Sequence, residues 1–122
     1  LFRNLHDALA RRRGSVVTIV ANMWQMPAPE LAHSAAARAG VVNLTRTLAK
    51  EWAREGIRCN AVAPGLTDSG ARSPRFAAMV DRVPLGRIGT VDDVVDAVMF
   101  FAGASYVTGE VLSVDGGIRF AT

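Results

Sequence analysis

Ser34 and Arg38 are the two residues of this sequence whose types and spacing could form a reactive couple. They lie four positions apart in "AHSAAARAGVV", residues 32–42, and a helix over this stretch places both side chains on one face. A hydroxyl beside a guanidinium is either a working couple or what remains of one. Which interpretation holds depends on the helices and strands that position the pair.

His33, next to Ser34, raises a second possibility, that of a nucleophile with its base. Adjacent helical residues point about 100° apart, so the two side chains do not face each other. Asp68 could still converge on His33 or Arg38 in a pocket acquired for another purpose, which the loop carrying Trp24 would cover. A partly exposed histidine near a helix start is the simpler interpretation, and we favour it.

Composition excludes several other classes of function. The chain has 122 residues and a net charge of +3, but its one basic run, Arg11 to Arg13, precedes Gly14 as cations do at a helix end. We therefore expect no nucleic-acid partner. No apolar run approaches the roughly 20 residues of a membrane span, and we expect no membrane association. Two histidines and one cysteine, Cys59, show no metal-ligand spacing. A single cysteine favours a cytoplasmic location.

Helical and strand-like patterns alternate along the chain and predict the elements that position these residues. β-branched or apolar runs predict strands over 14–21, 57–63 and 109–117, and three- and four-residue periodicity predicts helices up to 13, over 31–55 and over 90–102. A further short helix is expected over 75–83. This order predicts a parallel sheet with right-handed crossovers. The helix over 90–102 is apolar on nearly every side and must be covered on both faces.

Three segments resemble the short-chain dehydrogenase/reductase family. They are "GSVVTIVA", "RAGVVNLTRTLAKEWAREGIRCNAVAPG" and "VPLGRIGTVDDVVDAVMFFAGASYVTGEVLSVDGG", which together extend from about residue 14 to 117. The resemblance implies a truncated Rossmann-like α/β/α fold of about three strands. It also implies one domain over 1–122, equivalent to the C-terminal half of a family member. The glycine-rich turn that receives the dinucleotide in that family has no counterpart in this sequence, so we expect no cofactor.

The resemblance also answers the question raised by the opening pair. The family's Tyr-x-x-x-Lys couple falls on Ser34 and Arg38, and its strand serine falls on Ala21. All three differences remove chemistry, so the resemblance implies no catalytic residue here. Four residues match the family's turn on the nicotinamide side, and we interpret them as vestigial, kept for the geometry of the turn: Asn60, Pro64, Gly65 and Ser69.

Two functional hypotheses follow. In the first, the chain is a non-catalytic, truncated dehydrogenase-like subunit that acts by oligomerising with itself or with a full-length relative. In the family, the helix and strand matching 90–117 form one subunit interface and the helix matching 31–55 forms another. The strand over 14–21 is expected at a sheet edge, where the family has a fourth strand. In the second hypothesis, the chain is a repurposed or split enzyme whose cofactor half lies on another chain or elsewhere.

Overall fold

The fold was analysed in a computed structural model, which describes residues 2–70 and 78–121. The predicted alternation of helices and strands is confirmed. The main elements of the described residues are α1 (Phe2–Arg12), β1 (Ser15–Ile19), α2 (Ala32–Trp52), β2 (Arg58–Pro64), α3 (Val91–Gly103) and β3 (Val111–Val114).

The three strands form one parallel sheet in the order β1-β2-β3. Val16 pairs with Cys59 across the first ladder, and Val62 pairs with Leu112 across the second. The central strand β2 is almost completely buried, whereas Ile19 at the end of β1 is 53% exposed. As predicted, β1 lies at an edge of this sheet.

Helices cover both faces of the sheet and produce the predicted three layers. Side chains alternate along β2, so Cys59 and Ala61 pack toward α2, while Val62 packs toward α3. Leu9 and Ala10 bring the end of α1 to the α2 side. On the opposite side, Phe101 and Ala97 of α3 form the core with Val62.

Helix α1 ends one residue earlier than the glycine suggests. The residue in left-handed conformation is Arg13, with φ of 49°, and not Gly14. The backbone N–H groups of Gly14 and Arg13 donate to the carbonyls of Leu9 and Ala10, at 2.9 and 3.3 Å, which closes the helix end. A Cβ on Gly14 would lie 2.6 Å from Leu9 Cδ2, so a larger residue there would require the Leu9 side chain to move.

Several boundaries differ from the prediction. The strand predicted over 109–117 is confined to Val111–Val114, because Gly109, Gly116 and Gly117 adopt left-handed conformations that interrupt the ladder. The loop after β2 contains an unpredicted two-residue strand, Thr67–Asp68, paired with Gly89–Thr90. The helix predicted over 75–83 lies partly outside the described residues, and its described end contains only the 3₁₀ turn Val80–Arg82.

Helix α3 begins with a capping box. The Thr90 hydroxyl accepts a hydrogen bond from the Asp93 N–H at 3.2 Å, and the Asp93 carboxylate accepts one from the Thr90 N–H. The helix buries Ala97 and Phe101 and exposes large apolar side chains elsewhere. Among the described residues, no helix is both long and apolar enough to cross a bilayer.

Candidate functional site

Ser34 and Arg38 lie in the first two turns of α2, as the sequence predicted. Both side chains are half-buried. Within the described part of the chain, no hydrogen bond or ion pair joins them to each other. The pair therefore shares a helix face without forming a coupled hydroxyl and cation.

Ala21 lies at the exit of β1, in extended conformation, and its methyl group offers no hydrogen-bond donor. The polar residue at this position of the fold is the next one, Asn22, which is 5% exposed. Its side-chain amide donates to Asp115 Oδ2 at 2.5 Å. Asp115 also accepts hydrogen bonds from the Gly117 N–H at 3.0 Å and from Arg119. This network ties the exit of β1 to the exit of β3.

The sequence analysis did not identify Asn22 and Asp115. The only signal was a carboxylate before paired glycines in "SVDGG", where a chain reversal leaves backbone N–H groups in need of an acceptor. The two residues are 93 positions apart, so no local pattern could have paired them.

The other residues of the hypothesised pocket lie in different surroundings. Trp24 packs against the core cluster of Val20 and Val42, and the Arg46 guanidinium lies 5.5 Å from its ring. His33 is exposed. Asp68 accepts a hydrogen bond from the Gly70 N–H at 2.9 Å, within its own turn. None of these side chains lines the apolar pocket beside α3 or the pocket beside the third strand. A shared pocket for Trp24, His33 and Asp68 therefore stays a prediction.

Two residues of the turn that matches the family's nicotinamide side, Asn60 and Gly65, make contacts that support the fold. Asn60 is completely buried, and its amide donates to the Val107 carbonyl and accepts from the Glu110 N–H, at 2.9 and 3.0 Å. A Cβ on Gly65 would lie 2.7 Å from the Cβ of Asp115, so only glycine allows this approach. Pro64 pairs with β3, and Ser69 is exposed. Hydrogen bonds give Asn60 a structural role, and close packing gives one to Gly65.

One pocket, which we call the apolar groove, lies between the open edge of the sheet and α3. Its volume is about 390 Å³. The lining residues come from the ends of β1 and β2, from the short strand Thr67–Asp68 and from α3: Ile19, Pro64, Thr67, Val91, Val94, Val95 and Val98. The groove carries no charged side chain, so it is suited to apolar groups and not to a phosphate.

A second pocket, of about 540 Å³, lies beside β3. Its two arginines, Arg87 and Arg119, both pair with carboxylates of the protein. Arg87 contacts both carboxylate oxygens of Asp93 at 2.7 and 2.8 Å. This guanidinium, with the hydrogen bonds from Thr90, holds the pKa of the Asp93 carboxyl well below its usual range. Arg119 contacts Asp115 at 3.2 Å. The arrangement stabilises the start of α3 and the exit of β3.

Other reactive groups are scarce in the described structure. Cys59 is 1% exposed, and burial raises the pKa of its thiol, which disfavours the reactive thiolate. Within residues 2–70 and 78–121, no three histidine, cysteine, aspartate or glutamate side chains are grouped so that they could hold a metal ion.

Comparison with known proteins agrees with the fold. The profile of the family described as enoyl-(acyl carrier protein) reductase matches residues 1–119. A 3-oxoacyl-(acyl-carrier-protein) reductase of Thermotoga maritima is 38% identical, over 90% of this chain and 47% of its own length. A Xanthobacter autotrophicus protein named inactive 2-(S)-hydroxypropyl-CoM dehydrogenase 2 is 37% identical, over 93% of this chain and 55% of its own.

A solved structure gives the same result. The NADPH-bound short chain oxidoreductase of Pseudomonas aeruginosa PAO1, described as containing an atypical catalytic center, superposes with a TM-score of 0.87. It is 32% identical, and the match covers 95% of this chain and 50% of the other. The chain belongs to the short-chain dehydrogenase/reductase family. It spans about half the length of the relatives it matches.

Two of the residues that match the family's turn on the nicotinamide side already have partners within the protein. Both polar atoms of the Asn60 amide are used within the protein, and the Gly65 backbone is packed against Asp115. The sequence contains no glycine-rich turn between a strand and a helix to receive the pyrophosphate.

Proposed function

We propose that this chain is a non-catalytic, dehydrogenase-like subunit that acts by associating with a second copy or with a full-length relative. The proposal rests mainly on one observation: the family's serine, tyrosine and lysine are replaced in this sequence by Ala21, Ser34 and Arg38. A serine hydroxyl is a much weaker acid than a phenol, and its side chain is too short to take the tyrosine's place. An arginine cannot simply replace the lysine.

Exposed apolar surface supports the association part of the proposal. Helix α3 exposes Met99 by 63% and Phe100 by 54%, and contiguous apolar surface of this kind is typical of contacts with other chains. The open edge of β1 ends at the exposed Ile19, beside the apolar groove. Its sequence, "SVVTI", has no proline or lysine to discourage pairing. The relative named as an inactive dehydrogenase supports the idea that this fold can be kept after catalytic activity is lost.

The second candidate function is a split or repurposed enzyme. The Pseudomonas aeruginosa relative favours it, because that protein is described as NADPH-bound with an atypical catalytic center. In this case a second polypeptide would supply the dinucleotide site, and the exit of β2 would contribute only the wall formed by Pro64 and Gly65.

Two measurements on the purified chain separate these functions. Sedimentation with mass spectrometry of the purified material reports whether the chain self-associates and whether a second polypeptide accompanies it. Thermal melting with millimolar NAD(H) and NADP(H) reports cofactor binding. A ligand at 100 times its dissociation constant stabilises a fold by about 2.7 kcal/mol, which is easily measured as a shift in Tm.

We expect association without a shift in Tm. A shift in Tm with the chain alone would contradict the non-catalytic proposal. A shift that appears only when the second polypeptide is present would favour the split enzyme. A folded monomer that melts at the same temperature with and without cofactor would contradict association.

A further inference from the structure

His6 joins the first helix to the end of the long helix α2. Its Nε2 lies 3.0 Å from Glu55 Oε1, and its Nδ1 lies 3.3 Å from Asp7 Oδ1. The imidazole edge also contacts the ring of Trp52, with centroids 5.0 Å apart. The histidine is therefore held between two carboxylates and an aromatic ring, and only 26% of its side chain is exposed.

The two halves of α1 are attached to the rest of the fold differently. Toward its C-terminal end, Leu9 and Ala10 pack on the core cluster that contains Leu48 and Ile57. Earlier in the helix, Leu5 is 44% exposed, and His6 makes the polar contact with α2. A contact between charged groups at this place can therefore decide how firmly the first half of α1 is docked.

We infer that protonated His6 acts as a pH-sensitive clamp that docks the N-terminal half of α1 on the end of α2. The imidazolium donates from both nitrogens, one to each carboxylate. The neutral imidazole has only one N–H and no charge, so it can satisfy only one of the two carboxylates. Losing the proton therefore weakens the contact between the helices while the apolar contacts of Leu9 and Ala10 remain.

The charges around the ring all favour the protonated form. The hydrogen bond to Asp7 and then that to Glu55 raise the pKa of His6 above its ordinary value of 6.5. Both groups are acidic, one on α1 and one just after α2, and the third neighbour, Trp52, is uncharged. The pKa is raised in the folded state, so the clamp is complete below about pH 6.5 and is lost as the pH rises through the folded pKa.

Hydrogen exchange on the intact chain tests the clamp. The readout is the protection of the amides of residues 6–12, corrected for the intrinsic pH dependence of exchange, between pH 5.5 and 8.5. We expect protection to fall about two- to fivefold over this range, the effect of losing a partly exposed ion pair, while the amides of α3 do not follow the same trend. Salt at 1 M should reduce the difference.

Three variants make the assignment specific. Glu55→Gln should abolish most of the pH-dependent loss and lower the NMR titration midpoint of His6. Asp7→Asn should lower the midpoint but leave the contact between the helices. His33→Gln, the control, removes the other histidine and should change neither result. The inference is wrong if Glu55→Gln leaves both the midpoint and the pH dependence as in the parent chain, or if His33→Gln abolishes them.

Discussion

The proposed loss of catalytic activity rests on single side chains. Ala21 replaces a hydroxyl with a methyl group, and Ser34 and Arg38 share a helix face without a contact between them. Each change removes a proton donor, its orientation or the group that would lower its pKa. All three positions are half-buried in the folded chain.

Restoring the family's three side chains should not restore an enzyme. We expect the triple variant Ala21→Ser, Ser34→Tyr, Arg38→Lys to show no carbonyl reduction, because the restored acid has no hydride donor beside it. The measurement is consumption of NADH and NADPH with a panel of carbonyl compounds. Turnover above the rate of the parent chain would reveal a nucleotide site in this chain.

The buried link between Asn22 and Asp115 should be the most sensitive polar contact of the sheet exits. Asn22→Ala leaves a buried carboxylate without one of its donors, which costs about 1–3 kcal/mol of unfolding free energy. The matched control is Gln25→Ala, because Gln25 donates to Ser113 at 3.1 Å from an exposed position. Its cost should stay within about 0.5 kcal/mol. Urea denaturation measures both, and equal effects would contradict a structural role for the link.

Residue identities were easier to predict from the sequence than residue contacts. The resemblance to the family was sufficient to locate Ala21, Ser34 and Arg38, because the family's pattern aligns with this sequence without gaps. The pairs Asn22–Asp115 and His6–Glu55 span 93 and 49 positions. Only the strand order of the sheet and the packing of the helices bring them together, and no local pattern encodes either distance.

Among the elements, the start of α3 is the best specified by local sequence. Thr90 and Asp93 form a capping box of the usual spacing, and Arg87 adds a guanidinium that the sequence pattern did not reveal. The strands were harder to delimit, because glycines in left-handed conformation and the short pairing of Thr67–Asp68 depend on neighbours elsewhere in the chain. Periodicity therefore located the elements, and tertiary contacts determined where they end.

The capping box of α3 should make the free energy of unfolding fall at low pH. The pKa of Asp93 is depressed in the folded state, first by Arg87 and then by Thr90. Its contribution is therefore fully present above the unfolded pKa, near 4, and is lost progressively as the pH falls from there through the lower folded pKa. Asp93→Asn should lower Tm at pH 7 and have a smaller effect at pH 2.5.

Asp92→Asn is the matched control, because it removes the same charge one residue earlier, from an exposed side chain with no place in the capping box. It should change Tm much less at pH 7. If the two variants show the same pH dependence, then the net charge of the first turn is responsible, and the specific contact with Arg87 is not.

At the scale of the whole molecule, apolar surface stays exposed at the end of β1 and on α3. Purely parallel sheets are normally covered on both faces and flanked by further strands. Here β1 has a neighbour on one side only, within the described residues, and the apolar groove opens beside it. Helix α3, predicted to be covered on both faces, buries Phe101 and exposes Phe100 in this single chain. These surfaces account for the proposed association.

The last prediction concerns the assembly that this surface implies. We expect an obligate oligomer, with itself or with a full-length relative, so a charge placed on the apolar surface should remove the partner and leave the fold unsupported. Phe100→Asp, at a 54% exposed site, and Val98→Asp, in the wall of the apolar groove, should each give aggregate or unfolded chain. Ser105→Asp adds the same charge at an exposed position just after α3 and should behave like the parent. Sedimentation at micromolar concentration, with circular dichroism, measures the outcome. A well-folded, stable monomer of the parent chain under these conditions would contradict the association proposal and favour the repurposed enzyme.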